Sequence, residues 1–165
     1  MDLSKNGLTG EIPWYFGYFH DLRALNIGYN NFHGCIPEHI TYLTKLHLLD
    51  LSNNKFSGRI PVHLERLFGF SNVADSRTTG EIEIEMKRSE YLLLYLSPTN
   101  IIFDLSCNNL TGEIPTSIGS MRYLRLLNLS HNLLEGKIPA SLSGVSTLEQ
   151  LDLSNNNLNG AIQIT

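Results

Sequence analysis

Cysteine is scarce in this chain: of its 165 residues only Cys35 and Cys107 carry a thiol. Two thiols so far apart supply neither a paired metal-ligand spacing nor a redox C-x-x-C, which excludes a zinc module, a disulfide framework and a thiol oxidoreductase. Clusters of cations are missing as well. Twelve Lys and Arg stand against sixteen Asp and Glu, for a net charge of −4, and no basic run exists that would neutralise a row of phosphates. Nucleic acid is therefore not an expected partner. The longest apolar run, Tyr91-Leu92-Leu93-Leu94-Tyr95-Leu96, falls far short of the roughly 18 residues that cross a bilayer. The first residues, Met1-Asp2-Leu3-Ser4-Lys5-Asn6, lack the basic region and apolar core of a secretory leader. Catalytic constellations are absent too. His20, His33, His39, His47, His63 and His131 are scattered without metal-ligand spacing, and no Ser or Cys stands in a recognisable nucleophile context. Asp50 and Asp104 come close in the scheme below, but a carboxylate pair on an open sheet is expected to lack a cleft that tunes its acidity. The expectation is a binding protein, with no catalytic residue, no metal and no cofactor.

What is abundant is repetition. An Asn closes each L-x-L-x-x-N segment at Asn6, Asn30, Asn54, Asn108, Asn132 and Asn156, with successive spacings of 24, 24, 54, 24 and 24. Two residues later stand Leu8, Phe32, Phe56, Leu110, Leu134 and Leu158; four later, Gly10, Gly34, Gly58, Gly112, Gly136 and Gly160. Six later stand Ile12, Ile36, Ile60, Ile114, Ile138 and Ile162, followed by proline in every copy but the last, where Gln163 takes its place. Apolar residues then recur at Phe16, Ile40, Leu64, Ile118 and Leu142, and at Phe19, Leu43, Leu67, Met121 and Val145.

Each slot has a physical purpose. The alternation in Leu25-Asn26-Ile27, Leu49-Asp50-Leu51, Leu127-Asn128-Leu129 and Leu151-Asp152-Leu153 is that of a short strand burying every second residue, and stacked copies form a parallel sheet. The Asn sits where the chain leaves the sheet, with an amide able to serve backbone groups the turn leaves unpaired, so a buried ladder of amides is expected. Glycine admits backbone angles other residues resist, and Ile-Pro favours an extended return path. No copy buries its apolar face alone, so neighbour contacts carry the stability.

The unit L-x-x-L-x-L-x-x-N-x-L-x-G-x-I-P, matched at every specified place from Leu124 to Pro139, resembles the plant-specific leucine-rich repeat; Asn100 and Phe103, where leucines belong, are the main departures. The resemblance implies an α/β-type solenoid: a right-handed leucine-rich-repeat coil with a parallel β-sheet on its concave face and 3-10 or irregular segments on the convex side. Related arrays are the ectodomains of plant receptor-like proteins and receptor-like kinases, and polygalacturonase-inhibiting proteins.

The 54-residue interval divides the chain into repeats at 1–70, an insertion at 71–99 and repeats at 100–165. Phe70 and Asn100 hold the same slot, so 30 residues are added. Such an interruption resembles the island of receptor-like proteins and some receptor kinases, which inhibitor-type proteins generally lack. The insertion reads as a polar lead-in, then a strand with Glu81, Glu83, Glu85 and Lys87 alternating against Ile82, Ile84 and Met86, a turn at Lys87-Arg88-Ser89-Glu90, and the apolar run, together a hairpin. Loops on rigid scaffolds carry function disproportionately, which makes Arg77, Glu81, Glu83, Glu85, Lys87 and Arg88 candidate partner-binding residues.

Strand residues that alternate with the buried ones face the concave side. Four before each Asn these are Asp2, Asn26, Asp50, Asp104, Asn128 and Asp152, a column that also fits the repeat's own structural consensus. Flanking columns supply Arg23, His47, Arg125 and Glu149 on one side, and Lys5, Tyr29, Asn53, Cys107, His131 and Asn155 beside the ladder. The candidate concave contacts are Arg23, Asn26, Tyr29, His47, Asp50, Asp104, Arg125 and His131, a mixed polar band suited to a peptide or protein, with a co-receptor ectodomain as a further partner. Two sequons, Asn109-Leu110-Thr111 and Asn128-Leu129-Ser130, are candidate glycan sites. A mutual disulfide between Cys35 and Cys107 is not expected, since they occupy different slots.

By resemblance, the chain is a segment, uncapped at both ends, of a ligand-sensing ectodomain on the extracellular face of the plasma membrane, acting in signalling or defence. The competing expectations are an inhibitor that binds a wall-degrading enzyme and a truncated remnant with no activity of its own.

Overall fold

The computed structural model describes residues 1–68 and 100–161. Within them the chain runs through β1 (Thr9–Gly10), a 3-10 turn (Trp14–Tyr18), β2 (Ala24–Asn26), β3 (Asn31–Cys35), a 3-10 turn (Glu38–Tyr42), β4 (Leu48–Asp50), β5 (Lys55–Arg59) and a 3-10 turn (Leu64–Phe68). After the insertion come β6 (Ile101–Asp104), β7 (Asn109–Glu113), a 3-10 turn (Thr116–Ser120), β8 (Leu124–Asn128), β9 (Leu133–Lys137), a 3-10 turn (Ala140–Gly144), β10 (Gln150–Asp152) and β11 (Asn157–Asn159).

The even-numbered strands form a five-stranded parallel sheet, β2-β4-β6-β8-β10, as the L-x-L pattern predicts. Consecutive copies pair in register, Leu25 with Leu49, Leu49 with Phe103 and Phe103 with Leu127, so β4 and β6 are direct neighbours although the insertion separates them in sequence. The return path is more regular than expected: the odd-numbered strands form a second parallel sheet, β1-β3-β5-β7-β9-β11. All its strands but β11, which ends one residue before Gly160, contain the glycine slot, and Gly58 shows why glycine is required there. It has φ +74°, and a Cβ on it would lie 2.7 Å from the Cys35 Sγ of the preceding copy. Four of the five 3-10 turns start directly after a proline, and the turn at Leu64–Phe68 starts three residues after Pro61; a bond such as Ile40 N–H to Pro37 O, 3.0 Å, closes them.

The core lies between these layers. Leu25, Ile27, Leu49, Leu51, Phe103, Leu105, Leu127 and Leu129 from the first sheet meet Phe56, Leu110 and Leu134 from the second and Ile40, Leu43, Leu64, Leu67, Ile118 and Met121 from the 3-10 turns.

The expected amide ladder is present. Asn54 Nδ2 donates to Leu51 O and Ser52 O of its own turn and to Ile27 O of the preceding copy, while its Oδ1 accepts from Phe32 N–H at 3.0 Å. Asn108 repeats this across the insertion, donating to Leu51 O at 3.0 Å and accepting from Phe56 N–H at 3.0 Å. Asn30 and Asn132 do the same, and all four are buried. Backbone groups turning out of a sheet into the interior must be paired, and this amide pairs them.

Candidate functional site

The outer face of the five-stranded sheet gathers the candidate residues. Alternation along β2, β4, β6, β8 and β10 puts two slots of each copy on this face, six and four residues before the ladder Asn.

The Asp/Asn column has a structural function at every level. Its Oδ1 accepts the N–H two residues on: Ser4 on Asp2, Gly28 on Asn26, Ser52 on Asp50, Ser106 on Asp104, Ser130 on Asn128 and Ser154 on Asp152, all at 2.9–3.1 Å. Each is an Asx turn closing the strand exit. Asn26 is buried, which corrects its reading as an open concave side chain. Asn128 also donates to Asp104 Oδ2 at 3.3 Å and accepts from Ser130 Oγ at 2.8 Å. Its amide is thus engaged, whereas Asn109, on β7 of the other sheet, is exposed.

Asp50 and Asp104 are cross-strand partners in adjacent strands. Burial holds both carboxyls above the ordinary carboxylate range; Ser52 and Ser106 oppose this through hydrogen bonds, and Asp2 and Asp50 respectively reinforce it by charge. The expectation that an open sheet would leave their acidity untuned is therefore corrected. His47 is pushed down, first by burial and then by the nearby Arg23 charge.

In the column beside the ladder, Lys5, Tyr29, Asn53, Cys107, His131 and Asn155 all adopt φ between 52° and 55°. This left-handed conformation is unfavourable for all but Gly, Asn and Asp, and it turns the chain from one sheet into the other. Tyr29 and His131 are exposed here; Lys5 Nζ lies 5.7 Å from the Tyr29 ring centroid, and Asn155 Nδ2 lies 3.1 Å from His131 Nε2. On the opposite flank Arg23 is exposed, and Arg125 pairs with Glu149 of the next copy.

Between these columns runs a feature the sequence reading missed. Six before the ladder Asn stand Ala24, Leu48, Ile102 and Leu126, an apolar strip on the face opposite the core, forming a cluster of its own. Gln150 ends it. Ala24, Leu48 and Ile102 are closed to solvent, and Leu126 is partly open. The signal was available: four of five copies place an aliphatic residue in a slot that alternates with the core. At the open end, Ile102, Arg125, Leu126, Glu149 and Gln150 line a shallow depression of about 10 Å³, room for a single water molecule.

The candidate residues of the insertion, Arg77, Glu81, Glu83, Glu85, Lys87 and Arg88, lie outside the described residues, as does the expected hairpin. Among the described residues no group of three His, Cys, Asp or Glu could hold a metal ion, and both cysteines are free.

Models of the leucine-rich repeat match residues 21–43, 45–67 and 102–158, and the chain belongs to the leucine-rich-repeat family. Its structure is similar to plant receptor ectodomains. One is that of the Arabidopsis thaliana receptor kinase GASSHO1/SCHENGEN3 in complex with CASPARIAN STRIP INTEGRITY FACTOR 2, with 34% identity and a TM-score of 0.77 over 97% of this chain and 16% of that one. Another is the Arabidopsis receptor kinase HAESA in complex with the peptide hormone IDA and the co-receptor SERK1, with 33% identity and a TM-score of 0.76 over 98% of this chain and 22% of that one. The BIR2 ectodomain from Arabidopsis thaliana is similar at 29% identity and a TM-score of 0.68, over 96% of this chain and 68% of that one. No curated protein matches the chain in sequence. The chain spans about a fifth of the length of the first two of these solved chains. Among the described residues no helix is long and apolar enough to cross a membrane.

Proposed function

We propose that this chain is a ligand-recognising segment of a plant receptor-like protein or receptor kinase, exposed on the extracellular face of the plasma membrane and acting in signalling or defence. A peptide or protein is held against the concave face by Arg23, Tyr29, His47, Arg125 and His131, with Asp50 and Asp104 between them. The observation that carries this reading is the outer face itself: exposed Arg23, Tyr29 and His131 and the Arg125–Glu149 pair flank an apolar strip that is partly open at Leu126. Rows of apolar floor and polar rim are the composition of protein-recognition surfaces. The similarity to ectodomains solved with a peptide hormone and a co-receptor supports the partner class. Arg77, Glu81, Glu83, Glu85, Lys87 and Arg88 of the insertion extend the contact surface, and Asn109 is the glycan site its exposure favours.

The test is affinity capture from plant apoplastic fluid, using the chain extended by its flanking repeats, with the same array lacking residues 74–97 as comparison. A peptide or receptor ectodomain retained by the first and lost by the second supports the reading. Capture of a wall-degrading enzyme, independent of residues 74–97, overturns it in favour of an inhibitor.

A further inference from the structure

The 3-10 turns present a second surface, away from the five-stranded sheet. Eight, nine and twelve residues after the ladder Asn lie slots whose side chains leave the coil, and in the first two copies they hold Trp14, Tyr15, Tyr18, His39 and Tyr42. Trp14, Tyr15, Tyr18 and Tyr42 are 57%, 49%, 59% and 45% exposed. Tyr42 has a copy on either side, so this exposure belongs to the slot and not to the position of the first copy. After the insertion the same slots hold Thr116, Ser117, Ser120, Ala140, Ser141 and Gly144, so the solenoid packs there without rings. Contiguous exposed apolar surface that the fold does not require marks an interaction site.

The rings form one connected group. Trp14 stands edge-on to Tyr15, with centroids 6.1 Å apart and 78° between planes, and to Tyr18, at 5.5 Å and 87°. It lies 6.4 Å from His39, which reaches Tyr42 at 5.7 Å and 82°. Upright rings make ridges and notches in place of a flat apolar face, and each ring carries a polar group, whether indole N–H, phenol or imidazole. No charge of one sign accumulates around them: Asp21, Glu38 and Glu65 stand against Lys45 and Arg66, Asp21 pairs with Lys45 at 2.6 Å, and Glu38 accepts the Val62 N–H at 3.4 Å. The complementary ligand is uncharged, with apolar faces and hydroxyl edges, which is the make-up of a pyranose chain. Its C–H groups are drawn to the negative faces of aromatic rings. We propose that this surface binds a neutral oligosaccharide, whose sugar rings stack on Trp14, Tyr18 and Tyr42 while the phenol hydroxyls, the indole N–H and His39 meet its hydroxyls. The site is separate from the concave ligand face and does not depend on it.

Trp14 is the single tryptophan of the chain, so its fluorescence reports on this surface alone. The whole chain is titrated with cellohexaose, a neutral extended oligomer, and separately with an oligogalacturonide of the same length, which carries a carboxylate on each ring. The expected result is a saturable change in Trp14 emission with cellohexaose, with a midpoint on the order of 1 mM, and binding of the acidic oligomer about tenfold weaker or less. Tyr18→Ser and Tyr42→Ser give these slots the residue that Ser120 already supplies in a later copy; each weakens cellohexaose binding about fivefold with an unchanged far-ultraviolet circular dichroism spectrum. No saturable change at about ten times the expected midpoint, or an equal midpoint for the acidic oligomer, overturns the neutral-sugar site. Parental midpoints in both tyrosine variants overturn its assignment to this surface. Neither variant touches the concave face, so the receptor reading stands or falls separately.

Discussion

A carboxylate and an amide share one slot in this array, and the difference between them is measurable. Asn26 and Asn128 close the strand exit with the same Oδ1 acceptor that Asp50 and Asp104 use, so the turn itself requires only an oxygen. The carboxylates bring a penalty that the amides do not. Their native pKa values lie above the unfolded value, about 3.9, so between the two the folded chain holds more protons than the unfolded one. Stability therefore falls as pH rises through that window and stays lower above it. Asp50→Asn removes one of the two charges, and the new amide is placed to donate to Asp104 as Asn128 does. The variant is expected to be more stable than the parent at pH 7 and to lose that advantage by pH 4, by urea denaturation at both values. A larger loss of stability at pH 7 than at pH 4 would show instead that the carboxylate is a net stabiliser. His47 contributes with the opposite sign: its depressed native pKa makes stability fall as pH drops below about 6.5.

At the level of the element, the 3-10 turns stack against one another with little tolerance. A Cβ on Gly119 in the turn Thr116–Ser120 would run into the backbone carbonyl of Ser141 in the next turn. Gly119→Ala must push two copies apart, and a cost of about 1–3 kcal/mol is expected from over-packing, read as a lower midpoint in chemical denaturation. An unchanged midpoint would mean the stack is looser than this geometry. The elements also show what a sequence makes legible. The sheet and the ladder were readable because one slot, one function and one residue type recur in copy after copy, as at Asn30, Asn54, Asn108 and Asn132. The left-handed column was not, since Lys5, Tyr29, Cys107 and His131 share a conformation and no chemistry. The apolar strip escaped because the concave slots were read from the Asp/Asn column beside it. The register of β8 slips by one residue at Arg125, between the pairs Ile101–Leu124 and Ile102–Leu126, and no periodic signature announces it.

For the whole molecule, the insertion leaves the coil's pitch unchanged. β4 pairs with β6 as β2 pairs with β4, and the Asn108 staple reaches Leu51 O across 57 residues with the 3.0 Å geometry that Asn54 achieves on Ile27 O across 27. Deleting residues 71–100 restores the 24-residue spacing and moves Phe70 into the buried slot now held by Asn100, whose Oδ1 has no hydrogen-bond partner among the described residues. The expected product unfolds cooperatively at a temperature no lower than the parent, by far-ultraviolet circular dichroism. A broad or two-step transition would mean the insertion holds the two arms together.

Uniform junctions joined by unequal lengths of chain also impose an order on folding. Within each arm a copy finds its neighbour 24 residues away, whereas the central junction must close a 54-residue loop, an added entropic cost of about 0.7 kcal/mol. Since the hydrogen bonds gained at each junction are alike, chain separation alone sets which forms first. The two arms are expected to nucleate independently and the junction between β4 and β6, beneath Asp50 and Asp104, to zip last.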